Sequence, residues 1–291
     1  MSRNRDRMGL DESLFPEDAE APPVVAQVRP PQVDMSWSAP TDFVELPSKG
    51  AFYPPEHPLH GAESAEIRYM TARDEDILTN RSLLKQGLAF DRLIESVLVD
   101  KRIKAASLLL GDRNAILINT RITGYGSEYT TDITCAGCGT QQEFEFDLDL
   151  AHSQHLDESL LEDGSVRASG SGTFIITMPS SDTEVEVKFL TGADESKLSK
   201  ETERKRKRKL DSAVFTDQLR SFIVSVDGNE DTIALQQFVY NMTSRDARVL
   251  RLKYTSLMPS IDLTQEFSCL NCGHTADMEV PLGSNFFWPD W

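Results

Sequence analysis

Two cysteine pairs, far apart in the chain, restrict the possible folds more than any other feature of the sequence. They are Cys135 with Cys138 and Cys269 with Cys272, and each pair has the spacing C-x-x-C followed by glycine. The chain has 4 cysteines, so none is left over. Each pair lies between two stretches that alternate polar and apolar residues, which is typical of a zinc ribbon built from two hairpins. The sequence therefore predicts one four-cysteine centre that joins segments separated by 130 residues.

Three interpretations of the cysteines are open. A structural zinc ion is favoured because the pairs match and four thiolates complete a tetrahedral shell, although iron would accept the same ligands. A redox disulfide would normally use a single pair at the start of a helix, and four reduced cysteines without metal are the third interpretation. Four thiolates leave no position for a water molecule, so we expect a structural ion and no metal-assisted catalysis. Gly139 and Gly273 are expected to have positive φ.

The net charge of −17 at pH 7 is unevenly distributed along the chain. Residues 139–166 contain eight acidic residues and no Lys or Arg, whereas residues 197–209 contain eight basic residues. An acidic surface repels phosphate, so general binding of duplex nucleic acid is disfavoured. We expect the basic stretch to be a solvated helix or to pair with the acidic segment of the same or a neighbouring subunit. The alternative function is that of a nucleic-acid-binding zinc protein that uses the basic helix 197–209.

Aromatic residues near both ends of the chain are candidate partner-binding residues. Residues 1–43 contain several prolines and no lasting apolar period, which predicts a disordered or extended arm. This arm is either a solvated tail or a segment that orders on a partner, with Phe15, Trp37 and Phe43 as anchors. The end of the chain is rich in aromatic side chains, which either pack back on the zinc module or bind a neighbouring subunit. These side chains are Phe286, Phe287, Trp288 and Trp291.

The remaining pattern predicts an α+β fold of mixed helices and short antiparallel hairpins, with a zinc-ribbon-like module closed across a large insertion. After the arm, residues 44–126 are predicted to be mainly helical. Residues 127–150 and 259–285 are predicted to form the zinc-ribbon-like module. Residues 151–258 are predicted to be an inserted hairpin and helices, and residues 286–291 an aromatic tail.

Several helix starts are predicted from capping residues. Thr71, with Asp74 three positions later, begins a short helix. Asp112 caps a helix that ends near Thr123, and Asp194 begins a long helix that runs through the basic stretch to about residue 224. Thr232 caps a further helix, and Ser244 or the next residue begins the last one.

No catalytic pattern occurs in the sequence, which lacks the motifs G-x-S-x-G, G-x-x-x-x-G-K and G-x-G-x-x-G. His152 and His155 have the spacing of metal ligands on a helix, but a solvated surface helix is the favoured interpretation. His274 is expected to hydrogen-bond a cysteine sulfur. We therefore predict no enzymatic activity and no small-molecule substrate.

Membrane insertion and secretion are not expected. The chain has no run of about 18 apolar residues, and its start, MSRNRDRMGLDESLF, has no apolar signal core. Paired C-x-x-C motifs without a secretory signal predict synthesis in a reducing cytoplasm.

Three stretches resemble the baseplate hub protein family of T-even-type contractile-tailed phages. The first is LPSKG at 46–50 with Tyr53 and Pro54, and the second is EIRYMTARDEDILTN at 66–80. The third runs from GDRN at 111–114 to Gly126 and leads into the first C-x-x-C pair. The likeness covers roughly residues 44–270, and the block at 66–80 is its most specific part.

The resemblance implies a structural or assembly component of the virion's tail baseplate, without an enzymatic role. Its partners would be other phage baseplate and tail proteins, and it would be made in the host cytoplasm. The resemblance supplies no catalytic residues.

Overall fold

The computed structural model describes residues 39–162, 164–170, 172–207, 214–282 and 286–287. Within these residues, helices are combined with short antiparallel strands, which confirms the predicted α+β class. No helix in this part of the chain is both long enough and apolar enough to cross a membrane. The predictions for Trp37, Trp288, Trp291 and most of the arm 1–43 concern residues outside the described ones.

The first part of the fold is a hairpin followed by helices. Strands β1 (Thr41–Glu45) and β2 (Ser64–Arg68) pair antiparallel, so regular structure begins inside the predicted arm. The elements that follow are α1 (Ala72–Thr79), α2 (Arg81–Gln86), α3 (Ala89–Val97), a 3-10 turn (Ala105–Ser107) and α4 (Leu110–Tyr125).

The predicted start of α1 is confirmed, and Asp74 has a second function there. Its carboxylate accepts hydrogen bonds from the N–H and the hydroxyl of Thr71 at 2.8 and 2.9 Å. It also forms a two-point ion pair with Arg68 and accepts from Ser96. Burial alone would raise the pKa of Asp74, but these hydrogen bonds outweigh it and hold the pKa well below its usual range. One carboxylate therefore joins β2, α1 and α3.

The middle of the fold contains two antiparallel sheets and the helices between them. Strands β3 (Glu128–Thr134) and β4 (Gln141–Asp147) form a hairpin. A 3-10 turn (Leu148–Leu150), β5 (His152–Gln154) and α5 (Ser159–Glu162) follow. The next elements are β6 (Val166–Ala168), β7 (Thr173–Thr177), β8 (Glu184–Lys188), α6 (Gly192–Lys207), α7 (Val214–Phe222) and β9 (Ile223–Val226). Strands β6 to β9 form one four-stranded sheet in sequence order, and β7 with β8 is the predicted hairpin.

The last part returns the chain to the first hairpin. It consists of α8 (Thr232–Asn241), α9 (Ser244–Leu257), β10 (Ser260–Asp262), β11 (Thr264–Ser268) and β12 (Thr275–Glu279). Strand β10 pairs antiparallel with β5, with Gln154 opposite Ser260 and His152 opposite Asp262. The chain therefore leaves β4 and returns to β11 through two adjacent strands.

The predicted caps of two helices are wrong. Helix α4 begins at Leu110, and Asp112 lies inside its first turn with no exposed surface. Its carboxylate binds residues distant in sequence instead of capping the helix. Helix α8 is capped by the side chain of Asp231, which accepts from the N–H of Ala234, and not by Thr232. The start of α9 at Ser244 agrees with the prediction.

The long helix predicted from Asp194 is also wrong at both ends. Helix α6 begins at Gly192, and Asp194 accepts from the N–H and the hydroxyl of Thr191, a further capping arrangement. At the other end, the helical structure stops at Phe222 and residue 224 belongs to β9. Residues 223–226 extend because they complete the edge of the sheet against β8, with Val187 opposite Ile223.

Helix α4 contacts the chain at the start of β3 and just before β10. A Cβ atom at Gly111 would lie 2.0 Å from the carbonyl oxygen of Pro259, so the chain before β10 packs directly on the helix backbone. Near the other end, the buried guanidinium of Arg121 donates to the carbonyl oxygens of Gly126 and Glu128 at 2.6 and 3.1 Å. Helix α4 is thereby fixed to the start of β3 and to the approach to β10.

Candidate metal centre

The two cysteine pairs form matching turns at the ends of the hairpins β3–β4 and β11–β12. In the first turn, the N–H of Gly139 donates to the carbonyl of Cys135 at 2.9 Å, and in the second the N–H of Gly273 donates to that of Cys269 at 2.9 Å. Gly139 has φ 71° and Gly273 has φ 69°, as the sequence predicts. Both turns need glycine because other residues are strained in this left-handed conformation.

The fold brings all four sulfurs into one cluster. Every pair of Sγ atoms among Cys135, Cys138, Cys269 and Cys272 lies within 4.8 Å. The distance from Cys135 to Cys272 is 3.8 Å, and the distance from Cys138 to Cys269 is also 3.8 Å. A tetrahedron with metal–sulfur bonds of about 2.3 Å has edges of about 3.8 Å, so the four residues fit a tetrahedral ion.

The same distances disfavour a disulfide in this conformation. A disulfide requires the sulfurs to be about 2.05 Å apart. In addition, these two contacts at 3.8 Å each join one hairpin to the other, whereas a redox C-x-x-C motif links its own two cysteines. The sulfurs are arranged around a common centre and not as two bonded pairs.

The surroundings of the sulfurs differ between the inner and outer cysteines. Cys135 and Cys269 are buried, while Cys138 and Cys272 are exposed. Hydrogen bonding with the side chain and the backbone of Thr140 lowers the pKa of Cys138 to about 6, so this thiol ionises readily at neutral pH. The backbone N–H of Cys272 contributes most to a lowered pKa at Cys269.

The raised pKa of Cys272 indicates that a cation is needed for all four cysteines to ionise. The backbone N–H of His274 favours its thiolate, but hydrogen bonds with the neighbouring sulfurs, together with burial, outweigh this and raise its pKa to about 12. Without a cation, the four clustered thiols therefore do not all ionise at neutral pH. Metal binding requires all of them to ionise, so it would release protons and would be weaker at low pH.

Two glutamines that the sequence analysis did not identify join the hairpins. Gln142 on β4 donates to the carbonyl of Ser268 at 3.3 Å and accepts from the N–H of Leu270 at 3.0 Å. Gln265 on β11 donates to the carbonyl of Asp147 at 2.7 Å and accepts from its N–H at 3.1 Å. Each side-chain amide donates one hydrogen bond and accepts another, as a backbone peptide group does between paired strands. Their symmetric spacing, four residues from the nearest cysteine of each pair, is a signal that the sequence contains.

Aromatic rings fill the space between the hairpins below the cysteines. Phe144 on β4 has its ring centroid 4.9 Å from that of Phe146 and 5.2 Å from that of Phe267 on β11, in edge-to-face contact. Phe146 and Phe267 are fully buried. The hairpins are therefore held together by polar and apolar contacts as well as by their cysteines.

His274 contacts the cysteine centre through both its ring and its backbone. A Cβ atom at Gly137 would lie 3.0 Å from the His274 ring, so this ring packs on the first cysteine turn. The His274 carbonyl accepts from the N–H of Cys269 at 2.9 Å. The backbone N–H of His274 hydrogen-bonds the sulfur of Cys272 and favours its thiolate, in agreement with the expected contact between His274 and a cysteine sulfur.

His152 and His155 do not lie on a helix, so that part of the prediction is wrong. His152 is in strand β5, 3.6 Å from the carboxylate of Asp262. His155 donates from Nδ1 to the carbonyl of Pro47 at 2.9 Å. These contacts occupy the two rings with separate partners, and the metal-ligand group found among the described residues is that of the four cysteines.

The aromatic candidates divide into buried and exposed residues. Phe286 and Phe287 are buried; the ring of Phe286 lies 5.3 Å from that of Tyr129, and its carbonyl accepts from Arg121 at 2.7 Å. Phe286 and Phe287 therefore agree with the alternative in which the aromatic tail packs back on the chain. Phe43 lies on β1 with 66% of its surface exposed. Trp37, Trp288 and Trp291 lie outside the described residues.

The described part of the basic stretch pairs with acids on or next to its own helix. Lys205 forms an ion pair with Asp217 on α7, and Arg206 and Lys207 both pair with Glu203 on α6. These three side chains therefore do not pair with the acidic segment of their own chain. The stretch is a helix, as predicted, up to Lys207.

The sequence blocks at 46–54 and 111–114 meet in a buried hydrogen-bond network. Asp112 accepts from the N–H and hydroxyl of Ser48 at 3.0 and 2.6 Å and from the hydroxyl of Tyr53 at 2.7 Å. Burial raises the pKa of Asp112 despite these hydrogen bonds, and it also raises the pKa of Tyr53. The Tyr53 hydroxyl in turn accepts from the N–H of Leu109 at 3.0 Å. The network connects the loop after β1 to the start of α4.

Comparison with known proteins identifies the family. A search of curated proteins found no match, and neither did a search of solved structures. A family model described as "T4 bacteriophage base plate protein" matches residues 41–288, which is most of the chain. This match confirms the resemblance seen in the sequence. With the four-cysteine cluster and the α+β fold inside the matched region, the chain belongs to the T4 bacteriophage base plate protein family.

Proposed function

We propose that the chain is a non-catalytic structural or assembly subunit of a phage contractile-tail baseplate. It acts through protein–protein contacts with other phage baseplate and tail proteins, and it is made in the host cytoplasm and incorporated into the tail. The family match over residues 41–288 is the observation that supports this function. The nucleic-acid alternative is not favoured by any observation, since the described end of the basic helix is occupied by intramolecular ion pairs.

We further propose that Cys135, Cys138, Cys269 and Cys272 bind one structural zinc ion. The distances of 3.8 Å between their sulfurs support a tetrahedral ion, and iron is the competing metal. The ion would serve as a cross-link between the hairpins β3–β4 and β11–β12. The proposed zinc-ribbon-like module comprises residues 127–150 and 259–285, with residues 151–258 as an insertion between its halves.

Native mass spectrometry tests the metal. The purified chain should carry one ion whose mass identifies zinc or iron, and the double variant C138S/C272S should carry none. The double variant H152A/H155A is the matched control and should keep the ion, because those side chains lie elsewhere. A chain that carries no ion under nondenaturing, reducing conditions without chelator would contradict the proposal.

Deletion of the gene from the encoding phage tests the assembly function. Particles should lack complete baseplates by electron microscopy, and a plasmid copy of the intact gene should restore them. Quantitative mass spectrometry of purified tails and of assembly intermediates should show where the chain is retained. Normal, infectious tails from the deletion phage would contradict an essential structural or assembly function.

A further inference from the structure

Helix α9 presents a row of arginines to solvent. Arg245, Arg248 and Arg251 follow one another at intervals of three residues, which places them along one side of the helix, and all three are exposed. Ion pairs of arginine in the described part of the chain involve other positions. Three arginines without a carboxylate partner among the described residues are unexpected in a chain with net charge −17.

Apolar side chains adjoin the arginine row. The guanidinium of Arg251 lies 4.3 Å from the centre of the Phe215 ring, and Phe215 on α7 is 42% exposed. Leu252 is 59% exposed beside it. A groove between α7 and α9 is lined by Phe222, Arg248, Arg251 and Leu252 among others. We call the three arginines with Phe215 and Leu252 the arginine face. Mixed apolar and arginine surfaces of this kind are typical of protein interfaces.

A complementary surface lies on the hairpin β3–β4. In its register, Glu128 is opposite Asp147 and Asp132 is opposite Glu143, with Glu145 between them. All five are exposed, while the alternate residues face the interior. Like charges directly opposite each other destabilise a hairpin unless a cation approaches them. The ion pairs of the described residues do not include these carboxylates. We call these five residues the acidic face.

We propose that the arginine face of one copy of this protein binds the acidic face of a second copy. The spacing is compatible: the row from Arg245 to Arg251 rises about 9 Å along the helix, and the strand from Glu143 to Asp147 spans about 13 Å. Both faces are solvent-exposed on one chain, so a second copy supplies the matching charge. At physiological salt the screening length is about 8 Å, which weakens repulsion between whole molecules more than contacts at 3–4 Å.

Sedimentation velocity over a range of concentrations tests this contact. The wild type should associate as concentration rises. The variant R245E/R248E leaves the Arg251–Phe215 contact intact and should associate at least about tenfold more weakly, because it brings like charges together. The variant E143K/E145K should behave in the same way. An equimolar mixture of the two variants should associate again, because one keeps the native acidic face and the other keeps the native arginine face.

The matched control reverses two other exposed charges, in K85E/K200E, and should associate like the wild type. Circular dichroism of each variant checks that it is folded. A wild type that stays monomeric at several hundred micromolar, or a mixture that fails to associate when both variants are folded, would overturn the proposal. Binding of a DNA oligonucleotide that is lost in R245E/R248E, without self-association of the wild type, would assign the arginine face to a polyanion instead. Neither result would affect the family assignment or the cysteine centre, which involve other residues.

Discussion

Removal of the proposed ion from the four-cysteine centre should lower the unfolding temperature strongly. The reason lies in the length of chain that the ion closes, with 130 residues between Cys138 and Cys269. In the unfolded chain without metal, the two hairpin segments separate freely. The four-ligand site exists only where the two hairpins meet, so the binding energy of the ion adds to the stability of the folded chain and offsets the entropy cost of bringing these segments together.

The expected magnitude follows from the loop length. A cross-link that closes a loop of this size contributes about 5 kcal/mol to the free energy of unfolding. This is a large part of the roughly 5–15 kcal/mol by which single domains are stable. For a domain of this size, 1 kcal/mol shifts the Tm by about 2–4 °C, so metal removal should lower the Tm by about 10–20 °C. Gln142, Gln265 and the rings between the hairpins should keep the metal-free chain folded at 25 °C.

Differential scanning calorimetry with and without a chelator measures the effect, and the metal content of each sample is determined in parallel. The variant C138S/C272S should unfold near the temperature of the chelated wild type and should not respond to the chelator. Complete metal release with a change in Tm below about 3 °C would refute the reasoning, because the hairpins would then be held together without the ion. A chelator response that persists in the double serine variant would also count against it.

Three further predictions concern hydrogen bonds described above. The variant Q142A/Q265A removes four hydrogen bonds between the hairpins and should lower the free energy of unfolding in urea by about 2–4 kcal/mol. Its metal content should be unchanged, and a stability equal to that of the wild type would show that these bonds contribute nothing. D112A leaves three buried donors without an acceptor and should lower stability by about 3 kcal/mol or more. S48A removes one of these donors and the acceptor of the Gly50 N–H, so it should cost less, about 2 kcal/mol; equal losses in the two variants would contradict this. Because the pKa of Asp74 is depressed in the folded state, its contribution to stability is present above the unfolded value of about 3.9 and is lost as pH falls through the folded value. D74N should therefore be less stable at pH 7 and lose less stability on acidification below about pH 4, as followed by circular dichroism; parallel curves for the two proteins would exclude this linkage.

The hairpins and the cysteine centre could be predicted because their determinants are local. Alternation over residues 128–134 is sufficient to indicate β3, and the structure gives Glu128–Thr134. The turn geometry of each cysteine pair follows from the pair and its glycine. The meeting of the pairs, despite 130 intervening residues, was predicted from the preference of metals for four ligands, and the four sulfurs do cluster. The ligand requirement of a metal therefore predicted a contact between distant segments, which the alternation of polar and apolar residues cannot predict.

The wrong boundaries arise where distant contacts override local preference. Asp112 is a good capping residue by type, but its carboxylate is used by Ser48 and Tyr53, which lie about sixty residues earlier in the chain. Residues 223–226 follow a helix directly and have no turn residue before them, so the strand is specified by β8 alone. His152 extends because β10 is available to pair with it. In each case the deciding partner is not a sequence neighbour.

The pairing of β5 with β10 has a consequence for how such chains diverge. With His152 opposite Asp262, the outgoing and returning strands run side by side as a narrow stem. A change of chain length beyond that stem need not alter the distance between the two halves of the sulfur cluster, provided that the hydrogen bonds of Leu190 and Gly192 with the start of α4 and the Arg113–Glu195 ion pair are kept.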